Sequence, residues 1–92
     1  MEREIKISQF LDSEGKIKQL PQKQKVRFAV LEYLAGKFDP DCVYSEPQVN
    51  AICDQWHTFG DFFILRRELV DNNLLNRERD GSRYWRPAED AK

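Results

Sequence analysis

The amino-acid sequence predicts an α+β fold in which three helices precede a C-terminal β-hairpin. Three observations predict it. Apolar residues recur at three- and four-residue spacing in three separate stretches, a capping signature opens the second stretch, and the turn dipeptide Asp80-Gly81 divides two short strand-like runs. A chain of 92 residues suits one domain with one core, so residues 1–92 are read as a single unit. Residues 1–15 form an N-terminal extension in this reading, and residues 87–92 a frayed tail.

The extension is ambiguous at Ile5 to Leu11, between a short helix and a strand. Asp12-Ser13-Glu14-Gly15 reads as a turn, and Lys16-Ile17-Lys18 as a brief strand. The first long helix is predicted over residues 22–37, because Pro21 suits a first helical turn and Val26, Val30, Leu31, Leu34 and Phe38 follow helical spacing. Asp39-Pro40 ends it, since the residue before a proline is pushed out of helical geometry.

Ser45-Glu46-Pro47-Gln48 fits a capping box, and Val49, Ile52, Cys53 and Trp56 continue one apolar face, which predicts a helix over residues 46–56. His57-Thr58-Phe59-Gly60 breaks the pattern. Thr58 or Asp61 then caps a third helix over residues 61–72, marked by Phe62, Leu65, Leu69 and Val70 and closed by Asn72-Asn73. The hairpin spans residues 74–86; a two-residue turn at Asp80-Gly81 would place Glu78 opposite Arg83, and a longer loop would shift that pairing. A short connection between the second and third helices makes the whole a winged helix-turn-helix arrangement.

Composition narrows the class. With 40% apolar and 34% charged residues the chain falls in the globular range, away from disordered and membrane-spanning sequences. No apolar run approaches the roughly 18 residues that cross a bilayer, and Met1-Glu2-Arg3-Glu4 lacks a secretory signal, so a cytoplasmic protein without a membrane partner is expected. Cys42 and Cys53 are expected to be reduced.

A formal net charge of -1 gives no global footprint for nucleic acid. The distribution is less even. Lys16, Lys18, Lys23, Lys25, Arg27 and Lys37 outnumber the acids between Glu14 and Lys37, whereas Asp39, Asp41, Glu46 and Asp54 stand without a base between residues 39 and 54.

From about Gly15 to Arg86 the chain resembles an uncharacterised bacterial family, domain of unknown function 2087. The residues carrying the resemblance are Leu20-Pro21, Val30-Leu31-Glu32-Tyr33-Leu34, Tyr44-Ser45-Glu46, Val49-Asn50, His57 with Asp61, Leu65 to Asp71, Leu74-Leu75, and Gly81 with Tyr84-Trp85-Arg86. The resemblance implies a link to transcriptional control, because members occur alone or joined to helix-turn-helix regulators. The chain departs from the family's pattern at Thr58-Phe59-Gly60, where it carries extra residues before Asp61.

Candidate site residues concentrate after Asp61. On a helical wheel Arg66 falls within the apolar arc of Phe62, Leu65, Leu69 and Val70, which predicts a structural ion pair with Glu32 or Asp61. Arg67 points outward, where a recognition helix would present it to guanine, although Glu68 and Asp71 share that side. Arg77, Arg79, Arg83 and Arg86 make the hairpin basic, with Tyr84 and Trp85 alternating in direction so that at least one closes the core. These arginines point to double-stranded DNA as a partner. The alternative is a protein-interaction or dimerisation module, serving itself or a helix-turn-helix regulator, favoured by near-neutral charge and by Trp56, Phe59 and Phe63 beyond what a small core hides.

Cys53 and His57 stand four residues apart, a metal-capable spacing to which only Cys42 or Asp61 could add. Helix-end packing is the better account, and no metal or other cofactor is expected. No phosphate-cradling glycine loop, nucleophile with its base, or isolated carboxylate pair is present, so the sequence predicts no enzyme.

Overall fold

A computed structural model describes residues 7–87; residues 1–6 of the expected extension and 88–92 of the expected tail lie outside the described residues. A 3₁₀ turn at Ser8–Phe10 precedes three helices, α1 (Gln24–Ala35), α2 (Glu46–Gln55) and α3 (Phe62–Asp71). A two-stranded antiparallel ladder, β1 (Asn76–Arg77) and β2 (Tyr84–Trp85), follows them. This α+β layout is compatible with a winged helix.

The helix ends follow from local chemistry. Helix α2 opens on the capping box: the Ser45 hydroxyl accepts from Gln48 N–H at 3.3 Å, and the Gln48 side chain accepts from Ser45 N–H at 2.8 Å. Asp61 caps α3 by accepting from Ile64 N–H at 3.2 Å. At the far end Asn73 takes φ 62, Leu74 N–H donates to the Leu69 carbonyl and Asn73 N–H to that of Val70. That pattern ties off the last carbonyls of α3 and turns the chain sharply toward the hairpin.

Helix α1 is shorter than residues 22–37. Lys23 opens it with no side-chain hydrogen bond, and Pro21 lies buried ahead of the helix instead of in its first turn. At the other end Lys37 and Phe38 donate to carbonyls three residues back, so the helix tightens into a turn.

Two features of the chain path differ from expectation. The connection between α2 and α3 is not short: it runs through residues 56–61, longer than the three or four residues usual in a helix-turn-helix. The hairpin keeps the expected register, with Arg77 opposite Tyr84 and Glu78 N–H donating to the Arg83 carbonyl at 2.9 Å. Its turn is formed differently. Gly81 N–H donates to the Glu78 carbonyl, and of the turn pair only Gly81 adopts a positive φ (77°), where a side chain would be strained.

A third strand segment completes the wing side. Tyr44, just before α2, exchanges two 2.7 Å backbone hydrogen bonds with Tyr84, so β2 is flanked by β1 on one side and Tyr44 on the other. The N-terminal segment clasps the opposite side. Leu11 bridges Ile17, and Ile17 in turn bridges His57 in parallel, laying this turn against the α2–α3 connection.

Leu31 and Leu34 of α1, Val49 and Cys53 of α2, and Leu65 and Leu69 of α3 meet in one fully buried cluster with Ile17 and Phe38, which Leu75 and Tyr84 close from the hairpin. Burying each such aliphatic side chain contributes about 1.5–3 kcal/mol. Tyr84 is the inward member of the Tyr84-Trp85 pair. Among the described residues no helix is long and apolar enough to cross a membrane.

Candidate nucleic-acid interface

The connection between α2 and α3 is organised by His57. Nδ1 lies 2.7 Å from the Cys53 carbonyl and Nε2 accepts from Asp61 N–H at 2.8 Å. A carbonyl can only accept, so Nδ1 carries the proton and the ring is the neutral tautomer with Nε2 as acceptor. His57 thus joins the last turn of α2 to the residue that caps α3, across residues 58–60. Gly60, at φ 71 and with open space around it, gives the return bend that this path needs. The Phe59 ring covers the imidazole edge-on at 4.6 Å.

Arg66 and Arg67 are neighbours with opposite fates. Arg66 turns inward as predicted, but its partners are neither Glu32 nor Asp61. The guanidinium bonds the Asn50 side chain and pairs with Glu46 at 3.0 Å, both on α2, and only 14% of the side chain is exposed. Helix α3 crosses α2 so that Arg66 meets the α2 N-terminal turn, whereas Glu32 faces solvent on α1 and Asp61 is committed to capping. The Arg67 side chain is 67% exposed, and among the described residues its one ion pair is with Asp71, at 3.8 Å within the same helix. Glu68 is withdrawn from the outer face by Arg27 of α1, at 3.0 Å.

Between α3 and the hairpin runs an open groove of about 300 Å³ lined by Phe63, Arg66, Arg67, Val70, Asp71, Arg77 and Tyr84. The spacing of its α3 members, three and four residues apart, places them on one helix face. Arg77 reaches the groove from β1, and its Nη1 lies under the hairpin turn, 3.4 Å from where a Cβ on Gly81 would stand. Among the described residues, neither Arg77 nor Arg79 has an ion-pair partner.

The remaining hairpin arginines divide. Arg83 stays on the surface in a solvated pair with Glu78 at 3.1 Å, the cross-strand pairing the sequence predicts. Arg86 instead donates to the Phe38 carbonyl at 3.2 Å and fastens the end of the hairpin to the chain leaving α1. The structure therefore brings Arg66, Arg67 and Arg77 to one groove, leaves Arg79 and Arg83 at the hairpin tip, and sets Arg86 behind it.

Cys53 and His57 do adjoin, through the carbonyl bond already described. Burial pushes the Cys53 thiol up to about 12, against a weaker opposing pull from Arg66. Both imidazole nitrogens are engaged with backbone groups, and no group of three His, Cys, Asp or Glu side chains among the described residues could hold a metal ion.

The model of a family described as "Uncharacterized protein conserved in bacteria (DUF2087)" matches residues 16–86. The chain belongs to this family. The DUF2087 match opens on the strand segment that clasps His57 and closes on the arginine that fastens the hairpin, taking in all three helices and the groove. No curated protein and no solved structure matches the chain.

Three residues of the site carry no sign of their role in the sequence, and a fourth carries only part of it. Asn50 and Glu46, the partners of Arg66, carry no local sign of that role. Tyr44 acts as a strand through one residue, too short for alternation to show. Asp71 was visible as an acid on the α3 surface, but its place within the basic groove follows only from how the hairpin docks.

Proposed function

We propose that this DUF2087 domain binds double-stranded DNA, with α3 in the major groove and the hairpin along the neighbouring backbone, in the service of transcriptional control. The observation that carries this reading is the convergence of Arg67 from α3 and Arg77 from the hairpin on one groove. A helix of ten residues is about 15 Å long, and its outer face fits a major groove about 12 Å wide. A duplex seated against this groove would meet Arg67 at its base edges and Arg77 at a flanking phosphate. Arg79 and Arg83 extend the same charge to the hairpin tip.

Fluorescence anisotropy on a mixed-sequence duplex of about 20 base pairs, at two salt concentrations, tests the reading. Binding that weakens as salt rises supports it, because each phosphate contact contributes close to 0.9 to the logarithmic salt slope. Absence of binding at low salt, or binding indifferent to salt, overturns it.

A second reading, a protein-interaction or dimerisation module, is favoured by the exposure of Phe59, Phe63 and Val43. Light scattering over a concentration series tests self-association. A mass that stays monomeric throughout argues against it.

A further inference from the structure

Resting on the duplex-binding reading, we infer that Phe63 is a specificity-determining residue that recognises thymine through its C5-methyl group. Phe63 is the second residue of α3, and the residue remains 53% exposed. In a helix-turn-helix, residues near the N-terminus of the second helix reach the base edges. Phe63 stands four residues before Arg67, on the same helix face, and both line the groove shared with the hairpin.

Its ring also has a neighbour. The Arg66 guanidinium lies 5.0 Å from the ring centroid, and Arg66 is itself anchored by Glu46 and Asn50 of α2. A contact of this kind contributes about 0.5–1 kcal/mol and favours the ring position that faces the groove. Phe59 differs, since its ring is turned onto His57.

A phenyl ring has no donor or acceptor for the polar atoms of a base edge. In the major groove the thymine methyl is the apolar feature that distinguishes one base from the other three. With Arg67 one turn further along the helix and suited to guanine, the pair would read a thymine and a nearby guanine together. Phe63 thus decides which base the α3 face selects, whereas the proposed function concerns only whether duplex DNA is bound.

The test uses the whole chain and a duplex enriched by it from a randomised pool. The enriched duplex is synthesised twice, once with thymidine and once with deoxyuridine, which removes the methyl and leaves base pairing intact. The chain should bind the deoxyuridine form about 4-fold more weakly for each methyl contacted, the fold-change expected from burying one such carbon. Phe63→Ala should bind the two forms equally, and Phe63→Leu, which keeps an apolar contact, should retain the preference. Thermal melting of both variants establishes that the fold is kept. Equal binding of the two duplexes by the unaltered chain, or an undiminished preference in Phe63→Ala, overturns the inference and leaves duplex binding standing. Failure to enrich any duplex overturns both.

Discussion

The two sides of α3 handle polarity in opposite ways. Toward α2, His57 satisfies both ring nitrogens, Arg66 is anchored to Glu46 and Asn50, and no buried side-chain nitrogen or oxygen among the described residues lacks a partner. Toward the hairpin, Arg67 is paired only to an equally exposed Asp71, and Arg77 has no ion-pair partner among the described residues. Polar groups on the first side are structural, since an unmet buried donor or acceptor costs about 1–3 kcal/mol. Those on the second side remain available to a ligand, and exposed pairs of their kind contribute at most about 1 kcal/mol. Substitutions on the first side should therefore alter stability, and those on the second should alter binding.

The largest effect is expected at His57. His57→Ala removes the link between the Cys53 carbonyl and Asp61 N–H and empties a buried site, which should cost about 2–4 kcal/mol. Urea unfolding would show it as a lower midpoint at unchanged slope. A loss under about 0.5 kcal/mol would place the connection outside the cooperative core.

Cys53 gives the same side of the comparison a pH dependence. Its thiol is raised from 9.0 to about 12, so the neutral form is favoured by folding. A group raised in this way contributes stability that is fully present below 9.0 and is lost as the pH climbs toward about 12. Denaturation midpoints measured over that range should fall less steeply in Cys53→Val than in the unaltered chain. Thiol alkylation of the folded protein should modify exposed Cys42 quickly and Cys53 only as it unfolds.

On the hairpin side, replacing Arg67 and Arg77 together by alanine should weaken duplex binding by roughly tenfold or more and lower the salt slope by about 1 for each phosphate that is no longer neutralised. Stability should change by no more than about 0.5 kcal/mol, because Arg67 is well exposed and Arg77 lies at the surface. A titration at two salt concentrations alongside a melting curve measures both quantities. A large loss of stability would erase the distinction drawn between the two faces.

A smaller change of opposite sign is expected at Asp71. Asp71→Asn removes the one carboxylate that lines the groove among the described residues, frees Arg67, and should tighten duplex binding by about threefold, the scale of one exposed charge interaction. The least effect belongs to Arg83→Ala. Its pair with Glu78 is solvated, so hairpin stability should shift by less than about 0.5 kcal/mol in a denaturation curve.

Elements whose hydrogen bonds close within a turn or two were legible in advance. The Ser45 capping box, the Asp61 cap, one of two candidates, and the left-handed Asn73 each depend on residues within about five positions of one another, and the hairpin register on the turn between two adjacent strands. The ends of α1 were less legible, since no capping side chain marks its start and its exit tightens gradually. For the site, the wheel showed correctly that Arg66 turns inward and Arg67 outward. It could not name what Arg66 would meet. Nor could it show that Arg86 fastens the hairpin to the Phe38 carbonyl, a contact spanning 48 positions.

By itself, the sequence determined the order of elements, the apolar faces and the helix caps, because each is dictated by backbone hydrogen bonding and side-chain period over a few residues. Only the tertiary structure decided that Glu46 and Asn50 hold Arg66, that His57 spans the longer connection, and that Arg67, Asp71 and Arg77 share one groove. Those choices depend on the crossing of α2 and α3 and on where the hairpin docks. Packing sets that geometry through contacts between residues far apart in the chain, and no local pattern encodes it.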